Sequence, residues 1–100
     1  MMQKKYTIDQ IQSILSPIFS GYQIRKAVLF GSYAKGTAEE KSDIDLLVDS
    51  GLKGLAFYGL LEDVVSALGK EVDLLDISQI DPNSEVDNEI AKTGVIIYGS

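Results

Sequence analysis

The feature that most constrains the fold is a pair of short segments with strand-like apolar patterns. The first is followed by a glycine and a serine, and the second carries two aspartates. The first segment, Ile24–Phe30, predicts a strand that leads without a break into Gly31-Ser32. The second segment, Asp43–Val48, predicts a strand with two different faces. Its alternation separates an apolar set of side chains from a set with two carboxylates: Ile44, Leu46 and Val48 against Asp43, Asp45 and Leu47. A chain with this pattern must bury one face of a sheet and keep carboxylates at the end of the other.

Asp43 and Asp45 are two residues apart, so the predicted strand projects both side chains from one face, with Cα atoms about 6.5–7 Å apart. Two carboxylates whose charges are about 5 Å apart repel each other by about 3 kcal/mol at an effective dielectric constant of about 20. The sequence has no histidine, and the nearest cations are Lys35 and Lys41. A divalent cation would relieve this repulsion, and ligation by oxygen alone favours Mg²⁺.

Gly31, Ser32 and Lys35 are candidate phosphate-binding residues. A glycine directly after a strand lets a phosphate approach the backbone, and a serine in a following helical turn offers a hydroxyl and N–H groups. Lys35 lies one turn further on and could reach the same phosphate, but a solvated lysine explains it equally well. One strand end would thus present phosphate donors beside a strand with metal ligands, as binding of a metal–nucleoside triphosphate requires.

The rest of the chain is predicted to alternate between helices and strands. An amphipathic helix is expected from Thr7, its N-cap, to about Ser20, with a kink or an end near Ser16 because of Pro17. A loop that could open with a helical turn is expected over Ala34–Ser42. The remaining segments predict a helix, a strand, a helix and a strand: Leu55–Leu68, Glu71–Ile77, Asp81 to about Lys92, and Val95–Tyr98. This order predicts an α+β (α/β sandwich) fold, with helices packed on a mixed sheet of about four strands. We expect residues 1–100 to form a single domain.

If the third predicted strand pairs with the strand that carries Asp45, then Asp73 joins the other two aspartates. Three carboxylates can hold two metal ions about 4 Å apart, an arrangement that activates an attacking oxygen and stabilises a leaving one in line. Phosphoryl or nucleotidyl transfer would then need no histidine. Glu71 shares the predicted face of Asp73, but we expect it to lie at the surface.

Four polar residues near these strands can be explained by a structural role or by surface exposure, without any function. Tyr33 is expected either to stack on a base or to be an exposed or half-packed loop residue. Ser42 is expected to cap a turn rather than to orient Asp43. Asp49 and Asp76 lie near predicted strand ends, and we expect both to be exposed.

The composition narrows the classes of function. The chain has 15 acidic and 9 basic residues and a formal net charge of −6, which disfavours broad binding of nucleic acids or anionic membranes. The absence of cysteine and histidine excludes disulfides, thiolate metal sites and imidazole catalysis. No apolar run approaches the roughly 18 residues of a membrane span, and a cytoplasmic location is expected.

The spacing of these candidate residues resembles a known signature. Gly31-Ser32, ten intervening residues and Asp43-Ile44-Asp45 resemble the motif of the DNA polymerase β-like nucleotidyltransferases. More narrowly, four segments resemble the minimal nucleotidyltransferase (MNT) group: Phe30–Gly36, Ser42–Val48, Val72–Leu75 and Gly94–Tyr98. The similarity extends from about Ile24 to the end of the sequence, and it implies the polymerase β-like fold.

By this resemblance, Asp43, Asp45 and Asp73 are catalytic metal ligands, and Gly31 and Ser32 hold phosphate. The resemblance also implies Mg²⁺, with two ions bound, ATP or another nucleoside triphosphate as substrate, and transfer of a nucleotide to a hydroxyl group. Many members of the group are antitoxins encoded with a HEPN-domain toxin, and some transfer AMP to a tyrosine of that toxin. A HEPN toxin or another acceptor protein is therefore the expected partner.

Three functions remain compatible with the sequence. The first is an Mg²⁺-dependent adenylyltransferase that acts as the antitoxin of a HEPN-type partner. The second is a catalytically vestigial antitoxin that neutralises its partner by direct contact, because a chain of 100 residues leaves no room for an acceptor-binding domain. The third is transfer to a small molecule such as an aminoglycoside, which the lack of an added domain argues against. A homo-oligomer could also complete the cleft.

Overall fold

A computed structural model describes residues 5–99 of the chain, in which helices and strands alternate. The helices are α1, Ile8–Gly21; α2, Gly31–Lys35; α3, Leu55–Leu68; and α4, Glu85–Thr93. The strands are β1, Lys26–Phe30; β2, Ile44–Asp49; β3, Val72–Asp76; and β4, Val95–Tyr98, and a short 3₁₀ helix, Ile77–Gln79, follows β3. Among these described residues, no helix is both long enough and apolar enough to cross a membrane.

The strands of the described chain form one mixed sheet in the order β3-β2-β1-β4. β1 is antiparallel to both of its neighbours, whereas β2 and β3 are parallel. Parallel neighbours require a crossover connection, and α3 provides it. The arrangement confirms the predicted α+β sandwich with a mixed four-stranded sheet, and it confirms that the third strand pairs with the strand of Asp45.

The alternation of side chains along the strands creates two apolar layers. On one side of the sheet α1 and α3 cover the larger core, to which they contribute Ile11, Leu15, Phe19, Leu60, Val64 and Leu68. On the other side Val28, Phe30 and Leu47 form a smaller core, against which Val86 and Ile90 of α4 pack. Asp45 belongs to this second side because it alternates with the core residues of β2.

Pro17 does not end α1, as one reading of the sequence predicted, because the helix continues to Gly21. The proline removes the hydrogen bond to the carbonyl of Ser13, but both residues lie on the exposed face of the helix. Beyond the proline, the buried ring of Phe19 holds the last turn against the core. The predicted cap is confirmed, since Thr7 and Gln10 exchange backbone-to-side-chain hydrogen bonds.

Two other boundaries differ from those predicted. α4 begins at Glu85 rather than near Asp81, because Ser84 is the N-cap and its hydroxyl accepts from the N–H of Asp87. Asn83, which precedes this cap, has a positive φ of 64° that a helix cannot accommodate. The helical turn that could open the segment Ala34–Ser42 is present, but it begins earlier, at Gly31, as the short helix α2 that starts directly at the end of β1.

The expectation that Asp76 is exposed is wrong, because only 6% of this residue is accessible to solvent. Its carboxylate accepts hydrogen bonds from the backbone N–H and the hydroxyl of both Ser50 and Ser78. Burial alone would raise the pKa of Asp76, but these hydrogen bonds outweigh it and lower the pKa to about 2. Asp49 is only partly exposed, and it forms an ion pair with Arg25 at 2.8 Å.

Candidate active site

The sheet register brings two of the three predicted aspartates together at one end of the sheet, and the third lies just before β2. Phe30, the last residue of β1, pairs with Asp45, and Asp45 pairs in turn with Asp73 of β3. Side chains that are paired in register project from the same face, so Asp45 and Asp73 are neighbours on the side of α4. Asp43 is exposed and lies just outside the strand, which begins at Ile44 rather than at Asp43 as predicted.

Gly31, a candidate phosphate-binding residue, lies directly against the carboxylate of Asp45. Its φ is +72°, and a Cβ added there would overlap with Oδ2 of Asp45. Any other residue would therefore be strained in its backbone and would displace the Asp45 side chain. The sequence assigned this glycine to close approach of a phosphate, and the structure adds a second reason, which is the approach of Asp45 itself.

Asp45 carries the electrostatic strain of the site. Burial is the main reason that its pKa rises to about 6, and the negative charges of Asp73, Asp43 and Glu89 raise the pKa further. Lys35 acts in the opposite direction and lowers it. Four charged groups from different parts of the described chain thus act on one half-buried carboxylate. Their net effect, together with burial, is to destabilise the ionised form of Asp45.

The side chains at this end suit a hard divalent cation. The donors available from Asp43, Asp45 and Asp73 are all carboxylate oxygens, the ligands that Mg²⁺ prefers. The mutual repulsion that raises the pKa of Asp45 is the charge that such a cation would neutralise. Within residues 5–99, however, no three ligand-type side chains are already drawn together as a metal-binding group.

Ser32 and Lys35 belong to α2, which starts at this same end of the sheet. Ser32 is half-buried in the first turn, and its carbonyl accepts from the N–H groups of Gly36 and Thr37, which closes the helix. Lys35 does not simply extend into solvent, because its Nζ lies 3.6 Å from Oε2 of Glu89. Sequence reasoning missed Glu89, and no local pattern identifies it, since only the packing of α4 beside α2 brings the two residues together.

Tyr33 is neither a stacking residue nor a half-packed loop residue, and both expectations for it are wrong. The short helix α2 packs against β2 and turns the tyrosine inward, where it is 4% exposed and belongs to the larger core. Its hydroxyl has no hydrogen-bond partner among the described residues. The expectation that Ser42 caps a turn is confirmed, because its Oγ accepts a hydrogen bond from the N–H of Glu39. The expectation that Glu71 lies at the surface is also confirmed, because Glu71 is exposed.

Comparisons with known proteins converge on one family. The family described as polymerase beta, nucleotidyltransferase, matches residues 11–100. The protein adenylyltransferase MntA of Thermococcus cleftensis is 36% identical over 93 residues, which cover 87% of this chain and 88% of that protein.

Solved structures support the same fold. A crystal structure of a toxin–antitoxin with AMP-PNP has a TM-score of 0.75 and 26% identity, and the match covers 89% of this chain and 73% of that one. A second structure contains a tri-AMPylated HEPN toxin of Shewanella oneidensis in complex with an MNT antitoxin. Its TM-score is 0.71 at 21% identity, with 94% of this chain and 74% of that one covered, and this likeness bears on the fold alone.

Proposed function

This chain belongs to the polymerase beta nucleotidyltransferase family, and on that premise we propose that it transfers AMP from ATP to a hydroxyl group of a HEPN-type toxin, as the antitoxin of that toxin. The observation that carries the proposal is the meeting of Gly31 with Asp45 at the end of β1, with Asp73 in register beside Asp45. A phosphate cradle and a carboxylate pair at one point are what a metal–nucleotide substrate requires.

Asp43, Asp45 and Asp73 are the residues that would hold Mg²⁺, with two ions as the expected number. When bound, Mg²⁺ would neutralise charge on the triphosphate and make the attacking hydroxyl easier to deprotonate. The electrostatics of Asp45 support this role, because the neighbouring carboxylates of Asp73, Asp43 and Glu89 disfavour its ionised form and Mg²⁺ would supply the missing positive charge. The nucleotide in the related toxin–antitoxin structure, AMP-PNP, supports ATP as the substrate.

The residues of this chain would bind the nucleotide and move one proton. Gly31 and Ser32 would hold the phosphates through the backbone and the serine hydroxyl, and Lys35 would add a positive charge. The acceptor oxygen would form a bond to the α-phosphorus while the bond from that phosphorus to the β-phosphate oxygen breaks and pyrophosphate leaves. Asp73, which is exposed at the rim, would take the proton of the acceptor hydroxyl.

The identity of the acceptor is supported by the relatives. The Thermococcus cleftensis protein is named a protein adenylyltransferase, and that name supports a protein as the acceptor for this chain. The crystal structure with AMP-PNP, which is 26% identical to this chain, is of a toxin–antitoxin, and that supports a toxin as the partner. We propose a tyrosine hydroxyl of that partner as the attacking group and the cytoplasm as the place of reaction.

The test uses the chain together with the product of the neighbouring gene. With Mg²⁺ and ATP labelled in its α-phosphate, label should appear on the partner, and Asp43→Ala combined with Asp45→Ala should abolish it. Glu62→Ala is the control, because Glu62 is an exposed carboxylate on α3, across the sheet from the site. Label transfer that survives the double substitution would refute the proposal. Neutralisation of the toxin by the double variant, with no pyrophosphate released by the parent, would instead identify an antitoxin that acts by direct contact.

A further inference from the structure

An ion pair joins two helices beside the candidate active site. Lys35 of α2 and Glu89 of α4 approach to 3.6 Å, and their side chains are 46% and 36% exposed. The other ion pair in the described part of the chain, between Arg25 and Asp49, involves the opposite end of β2. The Lys35–Glu89 pair is therefore the one placed where a triphosphate would bind.

Both members of the pair act on the same carboxylate. Glu89 and Lys35 influence Asp45 with opposite signs, so both charges lie within electrostatic reach of it. The pair also borders a surface groove of about 380 Å³ between α2 and α4, which is lined in addition by Glu85, Asn88, Lys92 and Thr93. Lys35 therefore interacts electrostatically with two carboxylates, those of Glu89 and Asp45, and a bound nucleotide would add a third anionic group.

The geometry of the pair suits an exchange of partners. At 3.6 Å the two charged atoms are farther apart than the roughly 2.7–2.9 Å of a charge-assisted hydrogen bond. Both side chains are substantially exposed, so their attraction is screened by water and salt. A triphosphate carries several negative charges, and it would compete effectively with a single carboxylate for the ammonium group of Lys35.

We propose that Glu89 is a positioning residue that holds the ammonium group of Lys35 in the absence of nucleotide and yields it to the triphosphate on binding, so that Glu89 sets the affinity for ATP. The inference rests on the proposed function for the identity of the ligand. Glu89 contacts neither the metal nor the reacting atoms in this scheme, and its influence passes through Lys35.

The test is a double-mutant cycle on equilibrium binding of MgATP to the isolated chain, measured by titration calorimetry at low salt. Glu89→Gln should tighten the Kd by about two- to fivefold, the range expected from an exposed ion pair. Lys35→Met should weaken binding, and Glu89→Gln should have no effect in the Lys35→Met background. Glu85→Gln removes the same charge from the same helix, outside the ion pair, and should change the Kd less than Glu89→Gln.

The outcomes separate the inference from the proposed function. Equal tightening by Glu89→Gln with and without Lys35 would mean that Glu89 acts only as a general negative charge, and it would overturn the inference. Equal effects of Glu85→Gln and Glu89→Gln would do the same, as would a parent chain that binds no MgATP. In the label-transfer assay the KM for ATP should fall in Glu89→Gln while kcat stays unchanged. A cycle that behaves as expected without label transfer to any HEPN partner would refute the proposed function alone.

Discussion

Asp45→Asn should stabilise the metal-free chain while it abolishes transferase activity. The folded chain holds the Asp45 carboxyl half-buried, with the charges of Asp73, Asp43 and Glu89 acting against its ionisation and that of Lys35 favouring it. Burial and these carboxylates raise its pKa from 3.8 to about 6. An amide of the same shape occupies the same place without a charge, so the substitution removes the penalty and keeps the packing.

The expected gain follows from the size of the pKa shift. A shift of about two units corresponds to about 3 kcal/mol between the two protonation states at 1.36 kcal/mol per unit. Because Asp45 is half exposed and water screens its neighbours, the gain in the free energy of unfolding should be about 1–2 kcal/mol. For a chain of this size that gain raises Tm by roughly 5–15 °C.

The gain should depend on pH with a definite sign. The unfolded chain releases the Asp45 proton near its ordinary pKa of 3.8, whereas the folded chain keeps it until about 6. The parent therefore loses stability from this group as pH rises through the window between these two values, and the penalty is complete above it. Asp45→Asn lacks this loss, so its advantage should vanish below about pH 4 and be largest above about pH 7.

Thermal and denaturant unfolding in EDTA, at acidic and neutral pH, measure this difference. Asp43→Asn is the matched control, because Asp43 is exposed outside the strand and its substitution should change Tm less. Added Mg²⁺ should narrow the gap between the parent and Asp45→Asn, since a cation that binds only the folded parent stabilises it. The reasoning fails if Asp45→Asn melts at or below the parent at neutral pH, or if its gain is equally large at acidic pH.

Three further substitutions test individual contacts. Gly31→Ala should destabilise the chain by about 2–4 kcal/mol in denaturant unfolding, because the added Cβ overlaps with Asp45. Gly36→Ala is the control and should cost about 1 kcal/mol, because Gly36 has a similar φ but open space around it. Equal losses of stability would refute the steric argument. Asp76→Asn should lower the free energy of unfolding by about 2–3 kcal/mol at neutral pH. The difference from the parent should shrink as pH falls from about 4 towards 2, because the parent carboxylate then takes up its proton. A difference that stays constant over this range would contradict the prediction. Tyr33→Phe should be neutral or stabilising by up to about 1 kcal/mol, because it removes an unpartnered buried hydroxyl; a clear drop in Tm would show that the hydroxyl has a partner in solution.

The elements that could be predicted are those whose cause lies within a few residues. The alternation from Ile44 to Val48 identified a strand and both of its faces, and Thr7 with Gln10 identified a helix start, because side-chain periodicity and capping are local properties. The start of α4 was misplaced because Asp81-Pro82 is also a helix-start signal, and Ser84 was the cap that the chain used.

Partners that lie far apart in the chain could not be predicted in the same way. Asp76 was expected to be exposed because its position near a strand end says nothing about Ser50, which supplies two of its hydrogen bonds from another loop. Tyr33 was misjudged because the orientation of a five-residue helix depends on the strand it packs against. In both cases burial was decided by a neighbour that the local sequence does not contain.

The sequence by itself predicts phosphate and metal binding from two short stretches, because residue type and spacing are local properties. These stretches are Gly31-Ser32 at the end of one strand and Asp43-Ile44-Asp45 at the start of another. Tertiary structure alone decided which of these groups meet. It set Asp73 in register with Asp45 and placed Glu89 against Lys35. It also brought the Asp45 carboxylate so close to the backbone at position 31 that only a glycine fits there. The physical reason is that strand register and helix packing are set by the burial of whole apolar faces, and the polar residues at their ends are carried to positions that no local rule specifies.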